Sequence, residues 1–224
     1  MYELKNIKGN TWIIESPAKA GLVQVTDNRV VLIDSGSDKE AGRKIRQILD
    51  RHQWQLEAIY ITHSNADHIG GCRFLQDRTG CRIYAPGIEC AFTEYPVLEP
   101  SFLYGGYPFR ELRHKFLMAQ PSHCHPLTEA DLPAAWSLIR LPGHFFDMVG
   151  FRTPDDVVFL ADCLSSRQTL EKYGIPFIYD ARAYLATLDM TRNLEAAFFV
   201  PAHAPVTEDI RELALFNQWH MESM

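Results

Sequence analysis

The chain has 224 residues, a net charge of −6 and a composition that is 46% hydrophobic, 12% aromatic and 22% charged. Those proportions fill a globular core and exclude disorder, collagen and a coiled coil as descriptions of the whole chain. The acidic balance argues against a general affinity for phosphate backbones, which takes clustered Lys and Arg. MYELKNIKGN lacks the apolar stretch of a signal peptide, and runs such as Ala196 to Val200 are too short to span a bilayer, so a soluble, cytoplasmic protein is expected. The five cysteines, at 72, 81, 90, 124 and 163, include no C-x-x-C pair and read as free, mostly buried thiols.

Short apolar runs at Thr11 to Glu15, Leu22 to Thr26 and Val30 to Ile33 predict antiparallel strands joined by tight turns. Ser37 opens an S-x-x-E capping pattern with Glu40, and Ala41, Ile45, Ile48 and Leu49 share one face of a helix expected over about 38 to 51. A strand from Ala58 to Thr62 then runs into a polar cluster, followed directly by a glycine-bearing helix containing Phe74 and Leu75. Residues 96 to 133 hold six of the 13 prolines together with Phe102, Tyr104, Tyr107, Phe109 and Phe116. A substrate lid, a dimer contact and a packed surface excursion are all open readings of that segment.

Strands follow at Trp136 to Leu141, Val149 to Thr153 and Val157 to Ala161, then a helix over about 180 to 194, a strand over about 197 to 200 and a last helix from near Thr207. Glu208 and Asp209 are expected in the first turn of that helix, where its dipole favours them. No glycine or proline stops it before Met224, which leads to the expectation that the natural polypeptide continues. The stretches Thr26 to Ile33 and Thr153 to Leu160 echo each other, and each runs into an aspartate, Asp34 or Asp162. Shared hairpin chemistry and a duplicated half-domain both account for the echo.

The chemistry-bearing motif is His63-Ser-Asn-Ala-Asp67-His68, followed by Ile69-Gly70-Gly71. Imidazoles and a carboxylate within six residues of a strand end suit zinc, iron or manganese. Three further polar residues, His144 after Leu-Pro-Gly, Asp162 after Phe-Leu-Ala and His203 after Val-Pro-Ala, also stand at the ends of apolar runs. The cluster His123-Cys124-His125 is a weaker metal candidate in a proline-flanked loop. Cys163 is read as structural, Tyr173 and Phe177 as potential pocket lining or an ordinary apolar loop, and His52, His114 and His220 have no assigned role.

Taken in order, from Val30-Val-Leu-Ile-Asp34-Ser-Gly36 to Pro201-Ala-His203, these motifs resemble the metallo-β-lactamase fold superfamily, glyoxalase II-like hydrolases included. The resemblance implies an α+β fold, a four-layer αβ/βα sandwich of two similar halves in a single domain. It implies a first metal held by His63, position 65 and His144, a second held by Asp67, His68 and His203, and Asp162 bridging both. Asp34 would steady a ligand from behind. The family pattern has His where this chain has Asn65, and an amide oxygen is the weaker ligand, so the first site is expected to be the weaker. His63, His144 and Asp162 remain a two-histidine, one-carboxylate set like the iron site of the persulfide dioxygenases.

The expected function is a hydrolase using a metal-bound hydroxide, with Asp67 and Asp162 orienting the water and taking its proton. One or two zinc ions, or iron or manganese, would serve a small-molecule thioester or lactone. A mononuclear iron oxygenase and a catalytically weakened regulatory module are the alternatives. Neither nucleic acid nor a membrane is expected as partner, and a homodimer is left open.

Overall fold

The computed structural model describes residues 2–223, which form two compact units meeting in sequence at Pro133 and Ala134. The first unit begins with four strands, β1 (Glu3–Lys8), β2 (Thr11–Glu15), β3 (Ala20–Gln24) and β4 (Arg29–Ile33), each antiparallel to the one before. The sheet then turns parallel. Helix α1 (Lys39–His52) crosses to β5 (Gln55–Tyr60), and α2 (Ala66–Ile69) with α3 (Cys72–Thr79) crosses to β6 (Arg82–Ala85). Parallel neighbours need such crossovers because a tight turn can only reverse the chain. After α4 (Glu89–Glu94) and α5 (Leu98–Tyr104), the short β7 (His125–Pro126) closes the seven-stranded order β1-β2-β3-β4-β5-β6-β7. Ala41, Ile45, Ile48 and Leu49 bury one face of α1, as their spacing requires, and the last three join a core with Leu32, Ile59 and Ile83.

Several sequence expectations need correction. The cap of α1 is Asp38, whose carboxylate accepts from the Ala41 amide at 3.0 Å; Ser37 lies one residue too early, and aspartate is as good a cap as serine. The strand expected to reach Thr62 stops at Tyr60, because Thr62 leaves the ladder to bond Asp34. The glycine-bearing helix is two helices, broken at Gly70 and Gly71. A Cβ on Gly70 would overlap the Ser37 carbonyl and one on Gly71 the Ser35 carbonyl, so only glycine lets the chain pass this close to the segment after β4. Strand β1 was not anticipated. It is a mostly exposed edge strand with Lys5 and Lys8, lacking the apolar alternation that marks a buried one.

The second unit is a four-stranded sheet in the order β11-β10-β9-β8. Strands β8 (Ser137–Arg140), β9 (Val149–Arg152) and β10 (Val157–Ser165) are antiparallel, and after α6 (Arg167–Tyr173) and α7 (Ala181–Thr191) the chain returns as β11 (Phe198–His203), parallel to β10. Leu160, Tyr184, Leu188, Phe199 and Ile210 are central to its core. Helix α8 (Arg211–Glu222) starts later than the expected Thr207. Thr207 is instead bridged to Phe199 through both backbone bonds, and Asp209 accepts from the Arg211 amide ahead of the helix. Glu212, not Glu208 or Asp209, is the acid of the first turn.

Each unit thus contains a hairpin whose second strand, β4 or β10, has a parallel neighbour on its other side. The echoed stretches end alike. Asp34 (φ 61°) and Ala161 (φ 48°), each the residue after its echo, both adopt the left-handed conformation. Asp162 therefore does not stand at a strand end as expected. It lies inside β10, at a register shift between Phe159 and Ser165. Such a bulge re-aims a side chain without ending the strand. Among the described residues no helix is long and apolar enough to cross a membrane.

Candidate metal centre

In the first unit the candidate ligands lie between the end of β5 and helix α2. Asp34, nearly fully buried at the left-handed corner after β4, organises them. Its Oδ1 accepts from the Thr62 amide at 2.8 Å, and its Oδ2 accepts from the Thr62 hydroxyl and from His68 Nδ1, both at 2.8 Å. An ionised carboxylate only accepts, so His68 carries its proton on Nδ1 and keeps Nε2 as the lone-pair nitrogen. The Thr62 hydroxyl has given its hydrogen to Asp34, so its oxygen accepts from His63 Nδ1 at 3.1 Å. His63 is thereby held in the same tautomer. One carboxylate orients two imidazoles whose ring centres lie 4.0 Å apart, both fully buried. Asp67 is more exposed, with Oδ2 3.9 Å from His68 Nε2.

Position 65 bonds a carboxylate outside the motif. The Asn65 amide donates to Glu99 Oε1 at 2.8 Å, and the Ser64 amide and hydroxyl donate to Glu89 Oε2 at 3.0 and 2.5 Å. Both glutamates are buried, and burial pushes the Glu99 carboxyl up to about 8 despite the Asn65 bond that opposes the shift. Sequence reasoning missed both, since a lone glutamate in a short helix carries no periodic or motif signal.

In the second unit His144 follows Gly143 (φ 124°), where a Cβ would overlap the Tyr184 backbone. His144 Nδ1 donates to the Phe177 carbonyl at 2.8 Å, again leaving Nε2 as the lone-pair nitrogen. Phe177, expected at most to line a pocket, contributes its carbonyl and sets its ring edge-on to His144 at 6.0 Å. Tyr173 is exposed at the end of α6 and bonds Lys172. Asp162 Oδ2 lies 3.7 Å from His144 Nε2 and 3.2 Å from His203 Nε2, the latter at the end of β11. Aspartate, a carboxylate between two imidazoles, offers the donor chemistry of a divalent metal centre.

The remaining candidates are placed differently. His123 Nδ1 and the Cys124 amide both bond Glu94 Oε1, the His125 ring lies 4.8 Å from that of His123 and 5.7 Å from that of Tyr84, and the Cys124 thiol is buried beside Cys90. All five cysteines are free, and Cys163 is buried in the second core, 4.0 Å from the Thr191 hydroxyl. Phe102, Tyr104, Tyr107, Phe109 and Phe116 are all exposed.

Residues 13–203 match the family model of the metallo-beta-lactamase superfamily. The chain belongs to this superfamily. Among curated proteins it is 31% identical over 155 residues to a hydroxyacylglutathione hydrolase of Nitrobacter hamburgensis and 38% identical over 153 residues to one of Nitrobacter winogradskyi. Each alignment covers 63% of this chain, and the chain spans about half the length of these relatives. Among solved structures, a metallo-beta-lactamase from Pontibacter korlensis superposes with a TM-score of 0.74 over all of both chains at 16% identity. The BLEG-1 B3 metallo-beta-lactamase gives 0.69 over 97% of this chain and 99% of its own at 22% identity. These likenesses establish the α+β metallo-β-lactamase fold. Superfamily members bind metal, and the imidazole and carboxylate donors present here fit a divalent ion.

Proposed function

We propose that this metallo-β-lactamase-fold chain is a metal-dependent hydrolase of a small ester-like substrate, with a thioester as the first choice. The observation that carries the reading is tautomer control. His63, His68 and His144 each donate through Nδ1 to a protein acceptor, so each keeps Nε2 as a lone pair. Fixing the far nitrogen in this way is what protein ligands to metals characteristically need. In the first unit His63, Asp67 and His68 would serve as metal ligands, and in the second His144, Asp162 and His203 would do so; zinc suits nitrogen and oxygen donors of this kind. When bound, such an ion lowers the pKa of a water from 15.7 towards about 7 and polarises the substrate carbonyl.

The chain's own residues do the rest. Asp34 and Thr62 fix two imidazoles, and the Phe177 carbonyl fixes a third. With an ion bound, Asp162 would help orient the attacking water, and Asp67, the more exposed, would accept its proton and pass it to solvent. The thioester preference rests on the hydroxyacylglutathione hydrolases among the relatives, and the net charge of −6 favours a small molecule over nucleic acid.

Metal analysis of protein purified without added metal, paired with hydrolysis of a hydroxyacylglutathione thioester, tests the proposal. Bound zinc with zinc-dependent cleavage is the expected result. Iron-dependent oxygen uptake with zinc inactive would replace hydrolysis by the oxygenase reading. A chain that holds no metal would leave only the weakened module.

A further inference from the structure

The turn Ser64–Ala66 separates His63 from Asp67 and His68, so its conformation decides where three candidate ligands aim. Its polar groups are bound by two carboxylates from outside the motif, one on α4 and one on α5. Glu89, fully buried, accepts from both the Ser64 amide and the Ser64 hydroxyl. Glu99, 4% exposed, accepts from the Asn65 side chain, and the Ala66 amide also bonds it. Burying a carboxyl group is costly unless hydrogen bonds replace its lost hydration. A helix packed only to fill space would use apolar side chains here. The contacts also define the role of position 65: its amide nitrogen points at Glu99 from the residue where the family places a ligand histidine.

Resting on the reading that this turn carries metal ligands, we propose that Glu89 and Glu99 are positioning residues of the metal centre. Asn65 is the strut through which Glu99 acts on the turn and is not a metal ligand. Helices α4 and α5 are thus tied to the ligand turn through buried acidic side chains, and the histidine missing at position 65 has been exchanged for a brace.

The test is metal affinity and the visible spectrum of the Co²⁺-loaded full chain, measured for the wild type and for Asn65→Ala, Glu99→Leu, Glu99→Gln and the double variant Asn65→Ala with Glu99→Leu. Removing a group that orients metal ligands costs about 10-fold to 100-fold in affinity. Asn65→Ala and Glu99→Leu should each show such a loss for Zn²⁺ and Co²⁺, with ions per chain and Co²⁺ band positions unchanged because no ligand has been removed. The double variant should be no weaker than the worse single variant, since the two residues act through one bond. Glu99→Gln retains an acceptor for Asn65 and should recover most of the affinity. Band positions or stoichiometry altered by Asn65→Ala would make Asn65 a ligand and overturn the proposal. So would Glu99 variants that fold and bind metal as the wild type does. A Glu99→Leu chain that fails to fold leaves Asn65→Ala and Glu99→Gln to decide. Wild-type protein that binds neither metal refutes the underlying hydrolase reading, a result distinct from the others.

Discussion

Replacing Thr62 by valine preserves the shape of the side chain and deletes one hydroxyl that is both a donor to Asp34 and an acceptor for His63. A hydrogen bond to a charged group contributes about 1.5 to 3 kcal/mol, and the buried His63 Nδ1 loses its Thr62 acceptor as well. The metal-free variant should therefore be less stable by about 1.5 to 3 kcal/mol. In a chain of this length that lowers the thermal midpoint by about 3 to 12 °C. The Asp34 bond to His68 survives, so the two imidazoles should respond differently. Nitrogen-resolved NMR of the metal-free protein should find both rings protonated on Nδ1 in the wild type. In Thr62→Val only His63 should change tautomer. Zinc affinity should fall about 10-fold to 100-fold, as for other losses behind a ligand. A wild-type His68 protonated on Nε2, or a Thr62→Val chain that loses under about 0.5 kcal/mol, would refute the reasoning.

Other consequences are equally direct. Gly143→Ala should destabilise by more than about 3 kcal/mol in urea unfolding, because φ is 124° and the new Cβ meets the Tyr184 backbone; a near-neutral result would mean that α7 can move away. Chelation should lower the unfolding free energy relative to protein in zinc at 100 times its Kd by about 2.7 kcal/mol, read from urea melts. For Glu99, burial raises the folded pKa from 4.5 to about 8, with Asp67 and Glu89 adding to the rise while Asn65 and the Ala66 amide oppose it. Between those two values the folded chain holds a proton that the unfolded chain has released. Its contribution is complete below about pH 4.5 and is lost as pH climbs through 8, at a slope of up to about 1.4 kcal/mol per pH unit. Metal-free wild type should thus lose more stability from pH 5 to pH 8 than Glu99→Gln, and equal losses in urea melts would contradict this.

The strands around the site were legible because their residues alternate or run apolar between turn signals, and α1 because Ala41, Ile45, Ile48 and Leu49 repeat at helical spacing. The motif residues and Asp34 were legible because they sit beside those strands. What escaped reading depends on distant neighbours. Glu89 and Glu99 act 25 and 34 residues from their partners, through bonds that no local pattern encodes. The bulge that carries Asp162 inside β10 reflects pairing with β11, some forty residues away, and the late start of α8 reflects the Thr207 bridge to Phe199. Edge strand β1 escaped for the opposite reason: its exposed residues are under little pressure to alternate.

The left-handed corners at Asp34 and Ala161 have a consequence for how the protein can change. Alanine gives up about 1 kcal/mol or more in that conformation, where glycine would fit without strain. Ala161→Gly is therefore one of the few substitutions beside the site expected to relax the backbone locally, yet it would also free the hinge that aims Asp162. Selection for hardiness and selection for accurate aim pull in opposite directions at this single residue. A methyl group held against its preference is, in effect, the setting screw of the second unit's carboxylate.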